Sequence, residues 1–189
     1  MSSIIRYIFD MLPFMLAVLP IHVTVRLIVA RKTAFDPRRE AALLVFVLFL
    51  AGLASQTVIP KIRFTGGELL VINDGVHTTN IIPLKVFIDT YVDVFRYGNI
   101  GSFIINFLGN IVMFMPIGFF VPLLWNASGK RVVLVGFLCS LFIELSQLIL
   151  PRSSDVDDLI LNSLGTLLGF LLYKLLECKL QRFATKFKK

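Results

Sequence analysis

Apolar residues run along this chain in five long blocks, near positions 11–30, 41–59, 103–125, 132–150 and 159–176. Polar or basic stretches separate them, with one long mixed connection between the second and third blocks. Each block reaches, or nearly reaches, the roughly 20 residues a helix needs to cross the hydrocarbon of a bilayer. Backbone N–H and C=O groups find no water there and must pair within their own segment, so helices are the expected form. The pattern predicts an all-α integral membrane protein, a single polytopic unit over residues 1–189 built as a bundle of about five transmembrane helices.

The long connection carries its own pattern. Glu68–Ile72 and Val76–Ile82 are β-prone runs joined by Asn73-Asp74-Gly75, which predicts a hairpin. After Pro83 the period becomes helical. Leu84, Phe87, Ile88, Tyr91 and Phe95 fall on one face, with Lys85, Asp89, Asp93 and Arg96 opposite. Such a segment is expected to lie in the membrane interface. The tail, 177–189, repeats the amphipathic pattern with Leu180, Phe183 and Phe187 among lysines and an arginine, as expected of a helix resting on an anionic leaflet.

Composition agrees with the blocks. At 57% hydrophobic and 16% charged residues, the chain has more apolar side chain than a water-soluble core of this size can hide. The formal charge of +7 comes mostly from the loops and tail that follow the first, third and fifth blocks, so it carries no nucleic-acid meaning. Those basic residues also orient the chain. Arg31, Lys32, Arg38, Arg39, Lys130, Arg131 and the six basic residues from Lys174 to Lys189 share one side. The bias of such residues toward the cytoplasm places the N-terminus outside and the C-terminus inside. A stronger basic cluster follows the first block than precedes it, and no small-residue cleavage site appears, so this block reads as a retained span. Within it, Arg26 is expected to extend its guanidinium to the headgroups. Asp36-Pro37 marks a turn before the second span.

The candidate chemistry lies between Ser140 and Gly169. Ser140, Glu144 and Gln147 share one helical face of the fourth block, and Asp158, Asn162, Gly165 and Gly169 share one of the fifth. The link between them adds Arg152, Asp155 and Asp157, and the third block opens with Asn106 and Asn110. Antiparallel connectivity brings all these groups to one membrane side. A carboxylate as deep as Glu144 needs a partner, for which Arg152 and Asn110 are the candidates. Ser154-x-x-Asp157 fits a capping box, which accounts for part of the acidity without any site. Gly165-x-x-x-Gly169 is the spacing that lets a membrane helix pack closely on a neighbour. Pro116 and Pro122 are expected to kink the third span. Cys139 and Cys178 make neither a disulfide nor a metal motif, and no cofactor is called for.

Several stretches together resemble the VanZ-like membrane proteins. They are Asn80-Ile81-Ile82-Pro83-Leu84-Lys85, the run Asn110–Pro122, Ile143–Gln147, Pro151–Asn162 and Gly165–Gly169, about half of the chain. Leu84 departs from the pattern, since the family more often has an aromatic residue there. The family is named for a protein conferring low-level resistance to the glycopeptide teicoplanin. The resemblance implies an envelope role in a bacterial cell membrane and supplies no mechanism.

Three classes of function fit these residues. The leading one is non-catalytic binding of an amphiphilic envelope molecule, a lipid-linked cell-wall precursor or a lipid-tailed glycopeptide. Here Arg152 pairs an anionic group, Asn106, Asn110, Gln147 and Asn162 supply hydrogen bonds, Glu144 and Asp158 orient Arg152 or accept from the ligand, and Asp155 is among the binding residues. The second is an intramembrane enzyme with Glu144 and Asp158 or Asp155 as an acid–base pair, against which stands the lack of any Ser/His, Cys/His or His-Glu-x-x-His set. The third is a small transporter using Glu144 as a relay, disfavoured by the lack of an internal repeat. Membrane lipids are expected partners; nucleic acid is not.

Overall fold

The computed structural model describes residues 3–30, 35–60, 62–65, 68–71, 79–80, 82–98, 100–150 and 154–179. Its elements in chain order are α1 (Ser3–Ala30), α2 (Pro37–Thr57), β1 (Ile62–Thr65), β2 (Glu68–Val71), β3 (Thr79–Asn80), α3 (Lys85–Tyr97) and α4 (Ile100–Ser102). A π-helical segment (Phe103–Leu108) follows, then α5 (Gly109–Trp125), α6 (Gly129–Ile149), β4 (Ser154–Asp155) and α7 (Val156–Lys179). Within α1, α2, α6 and α7 lie four stretches long and apolar enough to cross a membrane. The chain is an all-α, multi-pass membrane protein. The third apolar block differs from the other four in form. Its α-helical part, α5, has 17 residues, and the block begins in the π-helix before it. α5 stays helical through both Pro116 and Pro122, and the π-helical segment lies upstream of them.

Helix α7 is the axis of the bundle. It descends parallel to α5, and its glycines set how closely the two backbones meet. A Cβ added at Gly165 would run into the Ile111 carbonyl, and one at Gly169 into the Met115 carbonyl. From the other side, a Cβ at Gly118 would meet the Thr166 carbonyl. Four residues along one helix thus match four along the other, the close packing expected of the Gly-x-x-x-Gly spacing. On its α6 side the same device recurs, where Gly136 makes room for the Thr166 side chain and Gly129 for the Phe170 ring. The core around these contacts holds Phe46, Leu53, Phe114, Ile117, Val121, Leu124, Val132 and Ile143, with Leu161 and Tyr173 on α7 itself.

Helix α2 begins as its sequence dictates. Asp36 is the N-cap and accepts a hydrogen bond from the Arg38 N–H at 3.1 Å, with Pro37 in the first turn. α1 packs on α2, and no residue in its membrane-crossing window is buried. Arg26 does not reach for headgroups as a lone cation. Its guanidinium makes a two-point pair with Glu40 in the first turn of α2, through Nε to Oε2 at 2.6 Å and through Nη2 to Oε1. The planar fork of arginine suits this pairing, and it neutralises both charges near the lipid.

The connection between α2 and α3 also departs from expectation. β2 pairs antiparallel with the preceding β1, from Ile62↔Val71 to Thr65↔Glu68. Residues 72–78, with the expected Asn73-Asp74-Gly75 turn, lie outside the described residues, as does the amphipathic tail from 180 onward. The later part of the expected second strand survives as β3, which pairs in parallel with β4 of the α6–α7 link. α3 is the amphipathic helix that its period predicts. Phe87, Ile88, Tyr91 and Phe95 are all exposed, so its apolar stripe faces away from the protein.

The glycine contacts yield a direct test. Gly165→Ala should lower the apparent Tm of the detergent-solubilised protein, with a loss of about 1–3 kcal/mol as in other overpacked sites. Gly109→Ala should be neutral or slightly stabilising, because its Cβ would meet Ile104 O at an ordinary 3.6 Å. Equal effects from the two substitutions would mean that the α5–α7 approach is not what the glycines set.

Candidate functional site

The candidate site sits where α6 ends, α7 begins and β3 returns to the bundle. Glu144 faces inward on α6 and is 7% exposed. Five residues separate it from the helix end at Ile149, roughly 8 Å of rise. Its Oε2 accepts from the Ser154 hydroxyl at 2.8 Å and from the Asp155 N–H at 2.9 Å. These two donors, both from β4, are the partners Glu144 was expected to need. They are not the partners named for it. Asn110 instead donates its side-chain amide to Asp158. Arg152 lies outside the described residues, as does the side chain of Asn106.

The link does not form the expected capping box. α7 starts at Val156, so the N-cap position falls on Asp155 and not on Ser154. The Asp155 Oδ1 accepts from the Asp157 N–H at 2.9 Å, satisfying a free donor of the first turn. The same oxygen accepts from the Asn80 side-chain amide at 2.8 Å. Ser154 is left free to give its proton to Glu144, a stronger acceptor than a neutral partner.

Asp157 has a role that sequence reasoning missed. It is 1% exposed, and its carboxylate takes two backbone donors from α3, the Leu84 N–H at 2.5 Å and the Val86 N–H at 2.7 Å. One aspartate therefore caps a helix some seventy residues away in the chain. The signal was present in α3 itself. Ile81, Ile82, Pro83 and Leu84 offer no Ser, Thr, Asp or Asn at its start, so its first N–H groups needed an acceptor from elsewhere. Leu84 occupies the left-handed region at φ 67°, which costs a leucine about 1–2 kcal/mol. The Asp157 grip and a Phe87–Phe107 ring contact at 5.0 Å between centroids hold that turn in place.

Deeper in the same α6–α7 seam, the Asn162 side-chain amide donates to Ser140 Oγ at 2.9 Å. Ser140 and Asn162 stand one turn below Glu144 and Asp158 on their respective helices. Thr166 closes the seam by donating to the Asn162 carbonyl at 2.9 Å. Asn162 Oδ1 and Gln147 Oε1 are buried and accept from nothing among the described residues. The four carboxylates Glu144, Asp155, Asp157 and Asp158 lie within electrostatic reach of one another. Among the described residues, none of them forms an ion pair with Lys, Arg or His. Nor does any group of three His, Cys, Asp or Glu there suit a metal ion. Thus Asn110, Glu144, Gln147, Asp155, Asp158 and Asn162 are gathered at one end of the bundle.

A cavity of about 230 Å³ lies elsewhere, between α1 and α2 beside the Arg26–Glu40 pair, with Val23, Leu27 and Leu44 among its lining. Its charges already neutralise each other, which leaves an apolar slot on the lipid-facing side.

The Asp157 cap is testable by hydrogen exchange. Asp157→Ala should speed exchange of the Leu84 and Val86 amides about ten- to a hundredfold, the equivalent of about 1–3 kcal/mol for stranded donors. The amides of α5 should keep their protection. Unchanged exchange at the start of α3 would show that the carboxylate does not hold it.

Comparison with known proteins reaches the same region of the chain. No curated protein and no solved structure matches it. A family model described as VanZ/LLP1 matches residues 41–177, which takes in α2 through most of α7 and the whole polar cluster. That match covers well over half of the sequence, and the chain belongs to the VanZ/LLP1 family.

Proposed function

We propose that this protein is a non-catalytic binder of amphiphilic envelope molecules in a bacterial cell membrane, and that it lowers sensitivity to teicoplanin. One observation carries the proposal. A buried polar cluster lies directly beneath the start of α3, whose exposed apolar stripe faces lipid. An amphiphile fits such a pair of surfaces, with its headgroup at Glu144, Asp158 and Asn162 and its tail along α3. Arg152 is the natural partner for an anionic part of the ligand. The bias of basic residues places this end of the bundle at the outer leaflet, with the C-terminus inside.

Catalysis by a Glu144/Asp158 pair is the weaker alternative. Both carboxylates already accept hydrogen bonds that hold the link and α5, and the Ser154 hydroxyl beside Glu144 is itself spent in one of those bonds. Glu144→Gln separates the two. It keeps an oxygen for Ser154 and so preserves binding, but it removes the acid.

Sidedness is tested with single cysteines in a Cys139→Ala, Cys178→Ala background. In intact cells an impermeant thiol reagent should label Asn73→Cys and should reach Lys188→Cys only after permeabilisation. The reverse pattern would invert the orientation and place the cluster at the inner leaflet.

Resistance is tested by overproduction in a susceptible single-membrane bacterium. The inhibitory concentration of teicoplanin should rise severalfold and that of vancomycin little, because only teicoplanin carries a lipid tail that concentrates it at the leaflet. Asp158→Ala or Arg152→Ala should abolish the rise with protein still in the membrane, whereas Lys186→Ala should not. Abundant, correctly inserted protein that gives no protection would refute the resistance role.

A further inference from the structure

We infer that the slot between α1 and α2 takes one acyl chain of an anionic phospholipid, whose headgroup meets the arginines at the start of α2. The site lies at the other end of the bundle from the polar cluster and does not depend on the role proposed for that cluster. Arg39, in the first turn of α2, donates to the Leu124 carbonyl in the last turn of α5 at 3.5 Å, whereas Asn110 meets Asp158 where α5 begins. The cavity of about 230 Å³ has Val23, Arg26 and Leu27 of α1 on one side and Glu40, Ala41 and Leu44 of α2 on the other. Farther along, the two helices touch. A Cβ added at Gly52 would meet Met11 at 3.4 Å and Met15 at 3.6 Å. Toward the turn the Arg26–Glu40 pair holds them, and the apolar side chains beside it leave the slot open. Of the residues that line it, only Ala41 and Leu44 fall within the stretch that the family model matches.

The lining selects a hydrocarbon chain. Arg26 and Glu40 spend their charges on each other, so water entering the slot would find few polar partners among Val23, Leu27, Ala41 and Leu44. An unfilled gap would forfeit the dispersion contacts of those side chains. At about 230 Å³ the slot is smaller than pockets for drug-sized ligands, which suits a length of one acyl chain and not a whole amphiphile. The mouth selects the headgroup. From Arg26 to Glu40 the sequence carries five basic residues and two acidic ones. Among the described residues Arg26 is paired, while Arg38 and Arg39 form no ion pair. Arg38 is exposed, and Arg39 lies within electrostatic reach of the Glu40 carboxylate that lines the slot. A headgroup with net negative charge complements these arginines, whereas a zwitterionic one sets its own cation against them.

The test is native mass spectrometry of the purified full chain, titrated with phosphatidylglycerol or phosphatidylcholine of identical acyl chains. The first phosphatidylglycerol should bind about tenfold more tightly than the first phosphatidylcholine. Ala41→Phe, which fills the slot, should weaken that first phosphatidylglycerol about tenfold. Arg38→Gln/Arg39→Gln should remove the preference between headgroups while both lipids still bind. Equal binding of the two lipids to the unsubstituted chain would overturn the anionic headgroup, and full binding to Ala41→Phe would overturn the slot as its seat. Glycerol phosphate carries the charge without the chain and should not displace the lipid; displacement would overturn the acyl recognition. A dimer that Ala41→Phe breaks apart would make a second copy of this chain the occupant, and the inference would fall. Should Ala41→Phe fail to fold, Ala41→Cys in the Cys139→Ala, Cys178→Ala background decides the matter. Phosphatidylglycerol should slow its reaction with a lipid-soluble maleimide severalfold and phosphatidylcholine little, whereas equal rates with the two lipids would overturn the inference.

Discussion

The backbones of α5 and α7 approach until only hydrogen fits between them, and the rest of the architecture follows from that contact. Gly118, Gly165 and Gly169 each face a carbonyl of the opposite helix, so neither helix can turn or slide without losing the fit. With α7 fixed, its first turn delivers Asp157 and Asp158 to one end of the bundle, and α5 delivers Asn110 beside them. α6 is then placed by Thr166 against Gly136 and by Asn162 against Ser140. In a membrane this constraint weighs more than in water. Lipid is as apolar as the helix surface, so close packing and buried hydrogen bonds replace the hydrophobic effect as the force holding spans together.

What could be read from the sequence was what repeats at a fixed period. The apolar blocks, the faces carrying Glu144 and Asn162, the Gly-x-x-x-Gly stripe and the amphipathic α3 all follow from a 3.6-residue period, and they hold in the structure. Partnership across the chain was not readable in the same way. β-propensity identified Glu68–Ile72 as a strand without saying that a partner lay before it. Glu144 plainly needed donors, but Asn110 gives its amide to Asp158, and Ser154 and the Asp155 N–H meet the need. Asp157 was assigned to its own helix because capping is usually local, yet it serves α3. Arg26 and Glu40 are also a pair that neither span reveals alone.

The division of labour among the acidic residues is therefore finer than a charged cluster suggests. Asp155 starts α7 and ties down Asn80. Asp157 grips α3, Glu144 gathers β4, and Asp158 joins α7 to α5. Each carboxylate offers several lone pairs, and the protein uses some of them to close its own loops and leaves others in the seam. A cluster built this way is stiff, because its unused lone pairs belong to groups already fixed by structural bonds.

The grip of Asp157 on Leu84 and Val86 has a mechanical side. Two bonds to one carboxylate pin the first turn of α3 in position, and the 13-residue helix extends about 20 Å. A force on the exposed apolar stripe turns the helix as a unit. The torque arrives at a single aspartate, next in sequence to the Asp158 that joins α7 to α5. α3 and the α5–α7 joint are thus coupled through two neighbouring side chains of one helical turn.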